Sequence, residues 1–204
     1  MKLCVIGGAG ARSAFLTKSL VKSARDIRVD HIVLLDNDQQ KLKTYGEISR
    51  ELARRLDPDL TFEVTSDARA ALTGVDYIIT TIRAGEDAGR LFDEQTCLAH
   101  GVLGQETTGA GGFAMAIRSV PTLVYYCTLA REVANPGHLI FNFTNPSGII
   151  TQALRSKGFD NVYGICDAPS GFIKQLEALC RTTGANPFGQ RQFNRVFHAQ
   201  WYNR

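Results

Sequence analysis

Short apolar runs that stop abruptly at glycine, asparagine or an acidic residue alternate with helical spacing from the first residues onward. The runs cover residues 2–6, 32–35, 62–64, 77–82, 138–143 and 162–165. Residues 13–21, 39–56, 68–72, 119–133 and 149–155 lie between or after them with helical patterning. Near-continuous apolar strands separated by helices predict an α/β fold, a Rossmann-like, doubly wound parallel sheet covered on both faces. In the segment 39–56, Leu42, Tyr45, Ile48 and Leu52 fall on one helical face. Residues 83–112, rich in glycine and polar side chains, read as a long irregular loop. A loop of that length in a compact domain is a place to look for function.

Composition narrows the function classes. With 44% hydrophobic and 21% charged residues over 204 positions, the chain has enough apolar content for a substantial core. The formal net charge is +3, and the basic residues form no stripe, so nucleic acid is not an expected partner. No apolar run is read as long enough to span a membrane, and the N-terminal run passes straight into glycines as a strand and turn would. Five scattered cysteines, an odd number, argue against a disulfide framework and for a cytoplasmic location.

The first strand runs directly into Gly7-Gly8-Ala9-Gly10 and then into a helix. That is where a dinucleotide fold needs glycine, because the turn must be tight and backbone amides must approach a pyrophosphate at the helix N-terminus. Gly8, Gly10 and Ala11 are the candidate cofactor residues. Ser13 stands at the third glycine position, so the fingerprint is incomplete. Asp36 ends the second strand, where an acid can bond the adenosine ribose hydroxyls and would repel the extra phosphate of NADP, so NAD+ is the expected cofactor. The alternative for Asp36 is a cap of the following helix, beside Asn37 and Asp38.

Ligands of parallel sheets collect beyond the carboxyl ends of the strands. Arg83 and Arg90 follow the fourth strand, Asn145 the fifth and Cys166-Asp167 the sixth, with Glu106 in the long loop. A thiolate beside an acid can serve a divalent metal. Taken singly, Cys166 also suits a small buried apolar residue, Glu106 a loop cap and His198 a surface histidine.

Three segments together resemble glycoside hydrolase family 4. The first runs from Ile82-Arg83-Ala84-Gly85 through Arg90-Leu91-Phe92-Asp93-Glu94 to Gly104-Gln105-Glu106-Thr107-Thr108-Gly109-Ala110-Gly111-Gly112. The second is Asn142-Phe143-Thr144-Asn145-Pro146-Ser147-Gly148, and the third Gly164-Ile165-Cys166-Asp167-Ala168-Pro169. The resemblance extends over about residues 1–185. It implies an NAD-binding domain over that range, with 186–204 beginning a substrate domain largely outside this chain.

Enzymes of that family depart from the two-carboxylate glycosidase scheme. The resemblance implies NAD+ and a divalent metal, typically Mn2+, with oxidation at the sugar C3, loss of the C2 proton, elimination of the C1 substituent, water addition and re-reduction. It implies Cys166 and His198 as metal ligands and Asp167 as acid for the leaving group. Glu106 and Asn145 would hold ring hydroxyls, Arg90 a sugar 6-phosphate, and Arg83 and Asn145 the nicotinamide side. Around His198, Phe197 and Gln200 replace the family's asparagine and glycine.

The family's catalytic base is a tyrosine expected beyond Arg204, which Tyr202 does not match. A chain ending here would then bind cofactor with little turnover. The expected substrate is a small phosphorylated disaccharide or glucoside, with 6-phospho-β-glucosides favoured, and the full-length protein would be a homo-oligomer. Two other readings stand beside this one. One is a lactate- or malate-type dehydrogenase, the other a non-catalytic NAD-binding fragment.

Overall fold

The structure is a computed structural model that describes residues 1–183. These residues fall into two compact units, the first Met1–Ile165 and the second beginning at Cys166. The domain boundary expected at 185/186 lies outside the described residues.

The first unit is built on six parallel strands: β1 (Lys2–Ile6), β2 (His31–Leu35), β3 (Thr61–Thr65), β4 (Tyr77–Thr80), β5 (Leu139–Asn142) and β6 (Val162–Gly164). Their spatial order is β3-β2-β1-β4-β5-β6. The order reverses between β1 and β4, so the crevice that receives a ligand in such sheets opens at their carboxyl ends. β1 pairs with both neighbours in register, Ile6 lying opposite Leu35 on one side and Thr80 on the other.

The helices that follow are α1 (Ser13–Ser23), α2 (Gln39–Lys41), a π-helical turn (Leu42–Gly46), α3 (Glu47–Leu56), α4 (Ala68–Leu72), α5 (Glu86–Ala99), α6 (Gly109–Val133) and α7 (Ser147–Ser156). Side chains of a strand alternate between faces, and both faces of β1 and β2 are buried. Leu3 and Val5 of β1 join Ile32 and Leu34, Val21 and Ala53 in one core. Cys4 and Ile6 join Val33 and Leu35 with residues of α4, α6 and α7 in the other. This is the doubly wound arrangement expected from the strand pattern.

Three local expectations need correction. The helical face of 39–56 that points inward is Leu42, Gly46, Ser49 and Ala53. Tyr45 and Ile48 are exposed and Leu52 only half-buried. Close approach sets this choice: α3 lies against α1 with Ser49 bonded to Ser13, and a Cβ on Gly46 would come within 2.6 Å of Val64. Small residues face in because neighbouring elements leave little room there.

The expected loop 83–112 contains all of α5 and the first turn of α6. Gly85 and Gly109, at φ +81° and +68°, stand at the two helix entries. Only Asp93 and Cys97 of α5 are buried, so the sequence carries almost no apolar period there.

Finally, α6 has 25 residues and holds an 18-residue window of mean hydropathy 1.2, long and apolar enough to cross a membrane by length and composition alone. The apolar positions are spread along a pattern interrupted by Arg118 and Pro121. One face packs inward, with Leu123, Cys127 and Ala130 in the core beside the sheet, while Phe113, Ile117 and Tyr125 are exposed. The second unit contains α8 (Ala168–Thr183), where the Gly171 amide donates to the Asp167 carbonyl at 2.9 Å.

Candidate functional site

The turn after β1 is held from behind. The amides of Gly7 and Gly8 both donate to the Leu35 carbonyl, at 2.8 and 3.0 Å. The Ala9 amide donates to one oxygen of Asp36 at 3.1 Å, and the Asp38 amide to the other at 3.1 Å. The amides of Gly10, Ala11 and Arg12, which lead into α1, have no partner among the described residues. A Cβ placed on Gly10 would meet nothing within 4 Å. The turn therefore presents open donors at a helix N-terminus to open space, the arrangement that suits a pyrophosphate. Each Asp36 oxygen has used one acceptor site and keeps capacity for a ribose hydroxyl. The expected capping role falls to Asp38, which accepts the amides of Gln40 and Lys41 at 2.9 and 3.0 Å.

On the other side of the crevice, a buried polar cluster sets the exits of β4 and β5. The Thr80 hydroxyl donates to the Asn142 side-chain oxygen at 2.8 Å. The Asn142 amide group reaches the Thr151 hydroxyl at 3.2 Å, and the Thr144 hydroxyl accepts the Ile82 amide at 3.1 Å. Thr80, Asn142 and Thr144 are essentially inaccessible. Their bonds hold the chain just before Arg83 against the chain just before Asn145. Asn142→Leu should leave several buried polar groups unpaired and cost about 1–3 kcal/mol. Urea denaturation measures this, and a midpoint equal to wild type would refute it.

Beyond this cluster four expected site residues come together. The Arg83 guanidinium donates to Glu106 at 2.5 Å. Arg90 lies 3.7 Å from the same carboxylate oxygen while its Nε donates to Glu94 at 2.6 Å. The two terminal nitrogens of Arg90 have no hydrogen-bond partner among the described residues. Asn145 donates to the Thr107 hydroxyl at 2.8 Å, next in the chain to Glu106. Burial pushes the Glu106 carboxyl up, but the Arg83 bond and the charges of Arg83 and Arg90 outweigh it and leave it below its ordinary value.

The Glu106 loop is shaped by contact with the start of α6. A Cβ on Gly111 would sit 2.6 Å from the Gln105 carbonyl oxygen, and one on Gly112 2.6 Å from the Thr107 backbone. The Gln105 side chain caps the turn by accepting the amides of Thr107 and Thr108.

Cys166 and Asp167 belong to the second unit, and both are exposed. His198 lies outside the described residues. Among the described residues no group of three or more histidine, cysteine or acidic side chains could hold a metal ion. Of the described cysteines, Cys4, Cys97 and Cys127 are buried. Burial pushes the thiols of Cys4 and Cys127 up to about 12, which keeps them protonated and inert.

Residues 2–182 match the model of family 4 glycosyl hydrolases. The chain belongs to glycosyl hydrolase family 4. Among its relatives is the 6-phospho-beta-glucosidase BglT of Thermotoga maritima, 35% identical over 181 residues, which make up 88% of this chain and 42% of that protein. The phospho-alpha-glucosidase PagL of Clostridium acetobutylicum is 34% identical over 181 residues, 87% of this chain and 40% of that protein. A solved structure of the T. maritima 6-phospho-beta glucosidase with manganese, NAD+ and glucose-6-phosphate superimposes with a TM-score of 0.78 at 32% identity. It covers 91% of this chain and 44% of that one. The chain thus spans less than half the length of these family 4 relatives. Membership in family 4 argues against the dehydrogenase reading, which rests on the sheet and a strand-end asparagine.

Thr80, Asn142 and Thr144 went unassigned at the level of sequence. Asn142 and Thr144 lie inside the asparagine-proline segment, so the motif was visible but their buried, supporting role was not. Thr80 ends an apolar strand and carried no signal.

Proposed function

We propose that this chain is the cofactor-binding part of a glycosidase that cleaves 6-phosphoglucosides, with 6-phospho-β-glucosides favoured. The observation that carries the reading is the Glu106 carboxylate set between Arg83 and Arg90 at the carboxyl edge of β4, on the sheet that also carries the open glycine turn. NAD+ fits that turn, with Gly8, Gly10 and Ala11 facing the pyrophosphate and Asp36 the ribose. When bound, NAD+ and a divalent metal such as Mn2+ supply reversible oxidation at the sugar C3 and Lewis-acid polarisation of the neighbouring oxygens, which acidifies the C2 proton and allows elimination at C1.

This chain's own residues bind and orient. Glu106, an acceptor kept ionised by Arg83, takes hydrogen bonds from ring hydroxyls. Arg90 keeps two terminal nitrogens for the sugar phosphate, a fork that suits bidentate recognition. Asn145 bridges the sugar and nicotinamide sides, and Arg83 lies on the nicotinamide side. Asp167 would protonate the leaving group. Cys166 would hold the metal as thiolate, with His198 as a further ligand. Reduced thiols and a phosphorylated substrate fit a cytoplasmic enzyme, and we take the full-length protein to be a homo-oligomer.

The test is release of nitrophenol from nitrophenyl 6-phospho-α- and 6-phospho-β-glucosides by the full-length protein, substrate domain included, in the presence of NAD+, Mn2+ and a reductant. We expect release that depends on added NAD+, is faster from the β-anomer and occurs without net NADH. Accumulation of NADH with 2-hydroxy acids, or NAD+ binding with no effect of glucose 6-phosphate, would overturn the proposal.

A further inference from the structure

Glu106 and its two arginines come from different elements. Arg83 precedes α5, Arg90 lies on its second turn, and Glu106 sits in the loop that enters α6. For the three charges to meet, α5 must be held in one register along α6. Apolar packing does not supply that register, because α5 buries only Asp93 and Cys97.

A single guanidinium spans the junction. The Nη1 of Arg118, on α6, donates to one oxygen of Asp93 at 2.8 Å, and its Nη2 bonds the other oxygen. Its Nε donates to the Ala84 carbonyl at 3.3 Å. Asp93 is only 7% exposed, so this carboxylate depends on Arg118 for its pairing. The slot is made of glycines. A Cβ on Gly85 would lie 3.1 Å from the Arg118 Nε, and one on Gly89 3.3 Å from it. Gly85 also adopts φ +81°, a region that favours glycine.

Ala84 is the neighbour of Arg83, and Asp93 lies one turn beyond Arg90 on the same helix. Arg118 therefore grips both ends of the segment that carries the two arginines. On its own helix, it lies two turns beyond the glycines packed against the Glu106 loop. We infer that Asp93 and Arg118 are positioning residues: their bidentate pair sets Arg83 and Arg90 against Glu106, and so determines how tightly the phosphorylated sugar is held. The inference rests on the proposed function, which makes Arg90 and Glu106 the sugar-phosphate contacts. Neither Asp93 nor Arg118 touches the ligand in this assignment. Lysine cannot replace Arg118, because one ammonium cannot serve two carboxylate oxygens and a carbonyl in a fixed fork.

The test compares Arg118→Lys and the isosteric Asp93→Asn with Leu154→Ala, a core variant remote from the site. NAD+ and then glucose 6-phosphate are titrated by calorimetry, and melting temperature is recorded for each protein. We expect the two pair variants to bind glucose 6-phosphate roughly tenfold to hundredfold more weakly, as loss of charged hydrogen bonds implies, with NAD+ affinity close to wild type. Leu154→Ala should lower the melting temperature at least as much while keeping wild-type sugar affinity. Wild-type glucose 6-phosphate affinity in the pair variants would overturn the inference, as would an equal loss in Leu154→Ala. Failure of the unmutated chain to bind glucose 6-phosphate after binding NAD+ would instead remove the functional reading, and this inference with it.

Discussion

Gly7→Ala is expected to remove a large part of the fold's stability and to abolish NAD+ binding. Gly7 sits at φ +81°, where an L side chain costs about 1–2 kcal/mol. Its added Cβ would lie 2.8 Å from the Thr81 carbonyl oxygen and 3.0 Å from the Ile82 side chain. The oxygen is backbone and cannot swing aside. Thr81 is itself tied to β1, its amide donating to the Ile6 carbonyl at 2.8 Å. Relief requires separating β1 from β4 at the point where the crevice opens, a strain of about 1–3 kcal/mol more. The sum, about 2–5 kcal/mol, is a large part of the 5–15 kcal/mol of a typical domain. The same displacement would carry Gly8, Gly10 and Ala11 away from the pyrophosphate position. Urea denaturation with and without NAD+ measures both effects. A Gly7→Ala protein with wild-type midpoint and wild-type NAD+ affinity would show that the turn is neither tight nor functional.

Glu106→Gln should separate sugar recognition from phosphate recognition. The substitution keeps the shape and removes the charge that faces Arg83 and Arg90. The arginines then present a stronger positive field, so inorganic phosphate should bind as well as before or better. The sugar loses a charged acceptor for its hydroxyls, worth about 1.5–3 kcal/mol. The preference for glucose 6-phosphate over inorganic phosphate should fall by roughly tenfold to hundredfold. Competition calorimetry gives this ratio, and an unchanged ratio would remove Glu106 from the sugar site.

The same variant has a pH signature. Despite burial, the Glu106 carboxyl is held below its ordinary value of 4.5, chiefly by Arg83 and then by Arg90. A depressed folded value means that the unfolded chain takes up the proton first as pH falls. The stabilisation is therefore fully present above the ordinary value and is lost as pH falls below it through the folded value. Between pH 7 and pH 3 the melting temperature of wild type should fall more than that of Glu106→Gln, with the divergence beginning near pH 4.5. Parallel curves would mean that the Arg83–Glu106 pair contributes nothing to folding.

Much of the scaffold was legible because strands buried on both faces leave continuous apolar runs. Lys2–Ile6 and His31–Leu35 are of this kind, and their ends mark the crevice. The site was legible to the extent that its residue types follow strand ends, as Arg83 and Asn145 do. Where elements pack closely through small residues, the apolar pattern misleads. On α3 the buried residues are Ser49 and Ala53, while Ile48 is exposed, because contact with α1 selects for small size. Where a helix is anchored by charge, the pattern disappears. α5 looked like a loop because its chief buried anchor is Asp93, whose partner Arg118 is 25 positions away along the chain.

By itself the amino-acid order determined the strand sequence, the glycine turn with its acid at the end of the next strand, and the motifs that carry family membership. These are local or periodic features, dictated by backbone sterics and by which faces must be apolar. Only the tertiary structure decided that Arg83, Arg90, Glu106 and Asn145 meet, that Thr80, Asn142 and Thr144 hold them from beneath, and that one guanidinium sets α5 against α6. Such contacts join residues far apart in the chain. Their energies depend on burial and on distances of a few ångströms, which no spacing along the sequence encodes.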